Sequence, residues 1–309
     1  WDMNRNFSDI YSPYLPAAKQ GETAHRYVLG LYQIMEELTT RFPKILFEGC
    51  SAGGNRFDLG ILCYFPQIWA SDNTDALCRT GIQNSYSYGY PLSVFTAHVS
   101  SCPNHQTLRI TPLETRFQVA SFGILGYECN LKDLSGSDLN AIREQIAFYK
   151  KWRDVFQFGS FYRGAENEAS DSETLSWTCV SPDGRRAVGL FFRRLTVPNQ
   201  SHDWYRPVGL LPDVKYHFYG RNIKYNLKDF GDLVNTVSPI HIKQGSALQE
   251  ILSRFVNMDG EKEDLTAYGD TLMRAGIALK PAFAGTGYNS DTRLFPDFSS
   301  RIYFMEAVE

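Results

Sequence analysis

The chain has 309 residues, 43% of them hydrophobic and 21% charged, with a formal net charge of −3. That balance is ordinary for a globular protein, and so small a charge gives no electrostatic case for nucleic acid or an anionic membrane as a partner. No run approaches the roughly 18 uninterrupted apolar residues of a membrane span, and the 14% aromatic share fits β-rich cores as readily as sugar-stacking faces.

The chain opens on WDMNR (1–5), with no strand in front of Asp2. Residues 22–41 carry apolar side chains at helical spacing. KILFEGC (44–50) reads as a buried strand ended by a Gly/Ser-rich turn, FDLGILCYF (57–65) as a short helix and PQIWASD (66–72) as a second strand. TDALCRTGIQNS (74–85) is helical with Thr74 as N-cap. YPLSVFTAHVS (90–100) is extended, and TPLETRFQVASFG (111–123) starts like a helix. ILGYECN (124–130) is a strand, and 137–157 is a long amphipathic helix capped by Ser137.

Strand–helix alternation implies a parallel sheet. About four βα units are present, which is half of a (β/α)8 barrel. Half a barrel leaves strand edges open, so the other half is expected from a preceding segment or another chain. The pattern changes beyond Gly164. GAENEASDSET (164–174) is linker-like, and 175–195 reads as two strands about the turn Ser181-Pro182-Asp183-Gly184. KYHFYGRNIKYNL (215–227), MRAGIALKPAF (273–283) and SRIYFMEAVE (300–309) are strand-like, with a short helix within 241–255. The expected fold class is therefore α/β: the C-terminal half of a (β/α)8 barrel over 1–165, followed by an all-β sandwich over 166–309.

The cysteines are Cys50, Cys63, Cys78, Cys102, Cys129 and Cys179, scattered without a CxxC pair or a Cys/His zinc spacing. Most of them read as small buried apolar residues, and the pattern suits a reducing cytoplasm.

Barrel chemistry sits at the C-terminal ends of strands. Asp2, the CSAGGNR loop, Asp72 and His98 all fall there. Asp2 and Asp72 suit a retaining glycosidase, in which one carboxylate attacks the anomeric carbon and the other donates a proton, the two lying roughly 5 Å apart. The alternative is a pair of ordinary strand-end or N-cap acids. CSAGGNRFD (50–58) lacks a GxGxxG or GxxxxGK[ST] pattern and reads as a turn or as a loop letting the backbone approach a ligand. Arg56 with Asp58 reads as a local ion pair or cap, and Asp75 with Arg79 as a helix-start ion pair. His98 fits an acid/base, a ligand or a hydrogen-bonded structural residue. The rings of FGSFYRG (158–164) are expected to pack the barrel base or the domain junction.

Six stretches in order, namely WDMNR, FEGCSAGGNRFDLG, PQIWASDNTDA, HVSSCPNHQT, TPLETRFQVASFG and LGYECNL, resemble the bacterial α-galactosidases of glycoside hydrolase family 36. The likeness is dense over residues 1–165 and weaker beyond. It implies an N-terminal β-sandwich, a catalytic barrel and a C-terminal β-domain. It also implies Asp2 as nucleophile and Asp72 as general acid/base, with Cys50, Ser51 and Gly53 against the galactose and Trp1 and Trp69 shaping the pocket. It implies no metal and no organic cofactor, α-galactosides such as melibiose and raffinose as substrates, and a homo-oligomer, commonly a tetramer. The loop reads CSAGGNR where the family pattern is nearer CSGGGGR, and little effect is expected from Ala52 and Asn55. The Lys before the Trp and the sugar-gripping groups of earlier strands lie outside this sequence. The expectation is the C-terminal part of a longer enzyme, inactive without its N-terminal half. The alternatives are a non-catalytic fragment or subunit, and a related α-N-acetylgalactosaminidase or galactosyl transferase.

Overall fold

The computed structural model describes residues 1–2, 9–165, 173–197, 203–222, 224–253, 255–259, 262–279 and 297–308. Four parallel strands, β1 (Glu48–Gly49), β2 (Gln67–Trp69), β3 (Phe95–Ser100) and β4 (Ile124–Glu128), lie side by side in chain order. Register is set by pairs such as Gly49 with Ile68, Trp69 with Thr96, and His98 with Gly126. Residue 1 extends this order by one position. Its nitrogen donates to Glu48 O at 2.7 Å and its carbonyl accepts from Cys50 N at 3.0 Å, the alternating pattern of a parallel neighbour to β1.

Helices alternate with these strands. Helix α1 (Thr23–Arg41) precedes β1, the single left-handed turn α2 (Ser51–Gly54) and the short α3 (Leu59–Leu62) follow it, and α4 (Ala76–Tyr86) and α5 (Leu113–Ser121) bring the chain back to β3 and β4. Caps fall close to where composition put them. Asp58 and Asp75 accept from Ile61 N and Cys78 N, and cap α3 and α4; the α4 cap is thus one residue beyond Thr74. The 23-residue α6 (Gly136–Phe158) starts on Ser135, not Ser137, in a reciprocal capping box with Asp138.

The second part is a six-stranded antiparallel sheet in the order β12-β9-β14-β7-β6-β5. Its strands are β5 (Ser160–Arg163), β6 (Thr174–Val180), β7 (Arg186–Arg193), β9 (Lys215–Gly220), β12 (Asp264–Tyr268) and β14 (Ser299–Ala307). The expected boundary at 165 falls just after β5. In β6, β7 and most of β14 successive residues are buried, without alternation, so both faces of the sheet are covered. On one face Trp177, Leu190, Phe192 and Phe304 join Phe117 and Phe122 of the α5 region and Trp152, Val155 and Phe156 of α6 in a single core. On the other face Phe191, Phe218 and Tyr303 pack with Tyr205 and Ile277. These last two come from the short pair β8 (Trp204–Tyr205) and β13 (Ile277–Ala278), so the second layer of the sandwich is far smaller than the first. The shared core makes the sheet a buttress for α5 and α6, which back β3 and β4. Phe161 packs on Phe122 and Trp177 at this junction, whereas Phe158 is exposed. Most of the linker-like stretch after Gly164 lies outside the described residues, as does the stretch from Lys280 to 296. Among the described residues no helix is long and apolar enough to cross a membrane.

Candidate active site

Residues from five neighbouring strand positions converge. Asp2 follows Trp1 beside β1, Cys50 follows β1, Asp72 follows β2, and His98 and Glu128 lie at the ends of β3 and β4. Met3 to Arg5 of the opening motif lie outside the described residues.

The first half of the site is a carboxylate cradled by a loop. Ser51, Ala52, Gly53 and Gly54 all have positive φ, at 64°, 49°, 70° and 90°. Two of these are not glycine, and each left-handed non-glycine residue costs about 1–2 kcal/mol. The conformation turns successive backbone N–H groups inward, as in anion-binding nests. Ser51 N and Ala52 N donate to Asp2 Oδ1 at 3.1 and 3.3 Å. The glycines make room for the next strand: a Cβ on Gly53 would lie 2.6 Å from Asp72 N, and one on Gly54 2.6 Å from Ala70 O. The loop is thus wedged between Asp2 and the segment that carries Asp72.

Cys50 ties the two acids together. Burial pushes its thiol above the ordinary range; a hydrogen bond with the Gly53 backbone works against this, and a hydrogen bond to Asp2 and the charges of Asp2 and Asp72 push it further up. The group is therefore a neutral S–H within the field of both carboxylates, not a thiolate nucleophile.

The second half is built on Trp69. Its Nε1 donates to Asp72 Oδ1 at 2.9 Å. The indole meets the His98 ring at 4.5 Å between centroids, and the Arg79 guanidinium carbon lies 4.6 Å from its centre. His98 Nδ1 is 3.2 Å from Glu128 Oε2. Gly126 lets this ring lie flat on β4, for a Cβ there would stand 2.5 Å from His98 Cδ2. The segment after Trp69 is fixed from below. Ser71 Oγ accepts from Asn73 N, and Asn73 Oδ1 accepts from Asp75 N. Ser100 Oγ donates to Thr74 O, and Asn104 Nδ2 donates to Thr74 Oγ1.

The expected Asp75–Arg79 ion pair is not formed, and of the two readings of Asp58, ion pair or cap, the cap is the one found. Asp75 pairs with Arg109 at 2.6 Å instead of Arg79, because Arg79 turns inward beneath Trp69 and donates Nη2 to Thr96 O at 3.0 Å. Asp58 spends its carboxylate on the α3 cap and on Tyr32, which donates at 3.1 Å, and makes no ion pair with Arg56 among the described residues. Of the sequence-predicted residues, Trp1, Asp2, Cys50, Ser51 and Gly53 form one cluster, and Trp69 with Asp72 abuts it through Gly53. The sequence reading missed Glu128 and gave Arg79 only as the ion-pair partner of Asp75. Glu128 stands at a strand end, the position that pointed to the other acids, whereas an arginine on a helix gives no sign of which ring it will lie under.

The melibiase family profile matches residues 1–159, and that of the glycosyl hydrolase family 36 C-terminal domain matches residues 174–305. Alpha-galactosidase 1 of Pediococcus pentosaceus is 50% identical over 216 residues, covering 70% of this chain and 29% of its own length. Alpha-galactosidase AgaA of Geobacillus stearothermophilus is 45% identical over 223 residues, covering 72% and 30%. This chain thus spans less than a third of the curated relatives it matches. The α-galactosidase of Lactobacillus brevis superimposes with a TM-score of 0.78 at 36% identity, covering 100% of this chain and 35% of that one. The Geobacillus AgaA structure with raffinose gives 0.77 at 37% identity, again over 100% and 35%. Parallel half-barrel, antiparallel β-domain and both family profiles agree: the chain belongs to the melibiase family of α-galactosidases, glycoside hydrolase family 36.

Proposed function

We propose that this chain carries the two catalytic carboxylates of a retaining α-galactosidase, with Asp2 as nucleophile and Asp72 as general acid and base. One observation carries the reading: Asp2, held by the amides of Ser51 and Ala52, and Asp72, held by the indole N–H of Trp69, flank the same loop, whose Gly53 leaves no room for a Cβ beside Asp72 N. The relatives support it. AgaA structures bound to raffinose and to stachyose each carry a substituted aspartate, and these two aspartates are separated in sequence by as many residues as Asp2 and Asp72.

In this reading Asp2 attacks the anomeric carbon of a terminal galactose. The glycosidic C–O bond breaks with its electron pair going to the leaving oxygen, which takes a proton from Asp72. Water deprotonated by Asp72 then opens the galactosyl ester, with net retention. Cys50, Ser51 and Gly53 line the galactose, and Trp1 and Trp69 shape the pocket. Oligosaccharides of the raffinose and melibiose kind are the substrates. Residues 1–165 supply the barrel half and 166–309 the β-domain. The other half of the barrel covers the exposed Val28, Leu29 and Ile34 of α1. The whole enzyme works as a homotetramer, and the cytoplasm is its compartment, in keeping with six unpaired cysteines there.

The test is the anomer first released from an α-galactoside by the complete protein, followed by NMR. The α-anomer is expected, and the β-anomer refutes the assignment. Asp2→Asn should lower turnover on the order of a thousandfold or more. Asp72→Asn should cost about 10²–10⁴ on natural sugars and far less on substrates with good leaving groups.

A further inference from the structure

Arg79 is a large, 2% exposed cation whose Nε and Nη1 have no hydrogen-bond partner among the described residues. A structural arginine uses its fork of five donors; this one gives a single hydrogen bond, from Nη2 to Thr96 O. Burial lowers its pKa to about 10, with Glu128, Tyr86 and Asp72 acting the other way, so it is charged at neutral pH. What its guanidinium does meet is the Trp69 ring, with Cζ 4.6 Å from the centroid. A desolvated cation against an indole is a strong contact, and it draws electron density from the ring, making Nε1–H a better donor. That N–H is the one held by Asp72 Oδ1. Oδ2 of Asp72 has no partner among the described residues.

We propose that Arg79 is a positioning residue for the proton-transfer step, acting through Trp69. The chain Arg79–Trp69–Asp72 fixes the carboxyl rotamer and occupies Oδ1, leaving Oδ2 to carry the proton. When the glycosidic bond breaks and its electron pair moves to the leaving oxygen, the Oδ2 proton passes to that oxygen while Asp2 forms the ester bond. In the second half Oδ2 takes the proton back from water. His98 borders the same indole from β3 and is itself met by Glu128 of β4; Arg79 alone of the three is a buried permanent charge.

The inference rests on Asp72 being the acid, and the experiment separates the two. In the complete protein, Asp72→Asn, Arg79→Met, Arg79→Lys and Trp69→Phe are compared on an α-galactoside with a poor leaving group, such as melibiose, and on 2,4-dinitrophenyl α-galactoside. Arg79→Met should lose about 10–100-fold in kcat on melibiose and under about threefold on the dinitrophenyl substrate, since a misaligned acid forfeits part of the 10²–10⁴ that general acid catalysis supplies. Trp69→Phe, which keeps the ring and deletes the N–H, should show the same selectivity, and the double variant Arg79→Met/Trp69→Phe should lose no more than the worse single one. Arg79→Lys keeps a charge but not the flat stack, and should be intermediate; it carries the test if Arg79→Met fails to fold. Equal losses on both substrates by a variant that stays folded would overturn the inference and leave Arg79 a packing residue. If Asp72→Asn itself shows no leaving-group dependence, the acid assignment falls, and this inference with it.

Discussion

Gly53→Ala should uncouple the two halves of the site. The added methyl carbon would stand 2.6 Å from Asp72 N and 3.1 and 3.2 Å from Ser71 Cα and C, all backbone atoms, where an ordinary contact begins at 3.4 Å. Relief requires a shift of about 0.8 Å between loop and segment. An alanine at this left-handed φ of 70° adds about 1–2 kcal/mol. The strain is local, so the larger effect falls on geometry. A misplacement of about 1 Å typically costs on the order of 10²-fold in rate, and here it moves Asp72 relative to Asp2 and Cys50. Steady-state kinetics on the complete enzyme should therefore show kcat/KM down by about 10²-fold, with only a few degrees lost in Tm. Ala52→Gly is the matched control. Ala52 stands at φ 49°, ψ 52°, is exposed, and holds Asp2 through its backbone alone. Glycine relieves about 1–2 kcal/mol of strain against about 0.5–1 kcal/mol of added unfolded-state entropy, so stability should be unchanged or slightly raised and activity kept. Wild-type kcat/KM in Gly53→Ala would refute the wedge.

Asp75 governs acid tolerance. Burial works to raise its pKa, but hydrogen bonds from Thr107, Cys78 N and Arg109, with the Arg109 charge, outweigh it and hold the carboxyl below its usual value. Its folded pKa is thus depressed, so its stabilisation is full above the unfolded value of about 3.9 and is lost as pH falls through the folded one. Asp75→Asn should cost about 2 kcal/mol at pH 7, less than a fully buried pair because Arg109 is a quarter exposed. It should also flatten the decline of Tm as pH falls below about 4; an unchanged decline would refute the assignment. For the thiols, peptide mass spectrometry after iodoacetamide at pH 7.5 should find the exposed Cys63 and Cys102 labelled well before Cys50, whose pKa is raised. Rapid labelling of Cys50 would contradict the neutral thiol.

Much of the fold was legible because punctuation and periodicity act locally. α1 and α6 follow from apolar spacing, and β6 and β7 from the turn at Ser181 to Gly184, which hydrogen-bonds Gly184 N to Ser181 O. The parallel strands were placed correctly but drawn too long. KILFEGC contributes only Glu48–Gly49 and PQIWASD only Gln67–Trp69. Past β2 the buried Ala70 carries the apolar signal beyond the ladder, whereas ahead of β1 Ile45 and Leu46 are apolar but exposed, so hydropathy alone does not mark where strand pairing ends. The unequal sandwich was illegible for a related reason: β8 and β13 are two residues each, too short to show any alternation.

The positions of Asp2 and Asp72 beside neighbouring strand ends were legible and their supports were not, for one physical reason. A carboxylate at the end of a barrel strand has its place fixed by chain position, since the strand delivers it to the mouth whatever the rest of the sequence does. A support acquires its role only through packing. Arg79 and Asp75, i and i+4 about a helix start, look like a surface ion pair. Both are buried, and each finds a different partner, Asp75 on the loop at Arg109 and Arg79 beneath Trp69. The pairing was decided by how deep α4 sits against β2 and β3, where Gln83 Nε2 donates to the carbonyls of Val119 and Phe122. Those two carbonyls end α5, which packs on β14 through Ser300 N to Thr115 Oγ1 and Ser300 Oγ to Gln118 Oε1. The C-terminal sheet therefore reaches the candidate acid through a chain of buried contacts, β14 to α5 to α4 to Trp69. In this arrangement the described residues of the β-domain are linked to the site by packing and contribute no side chain to it.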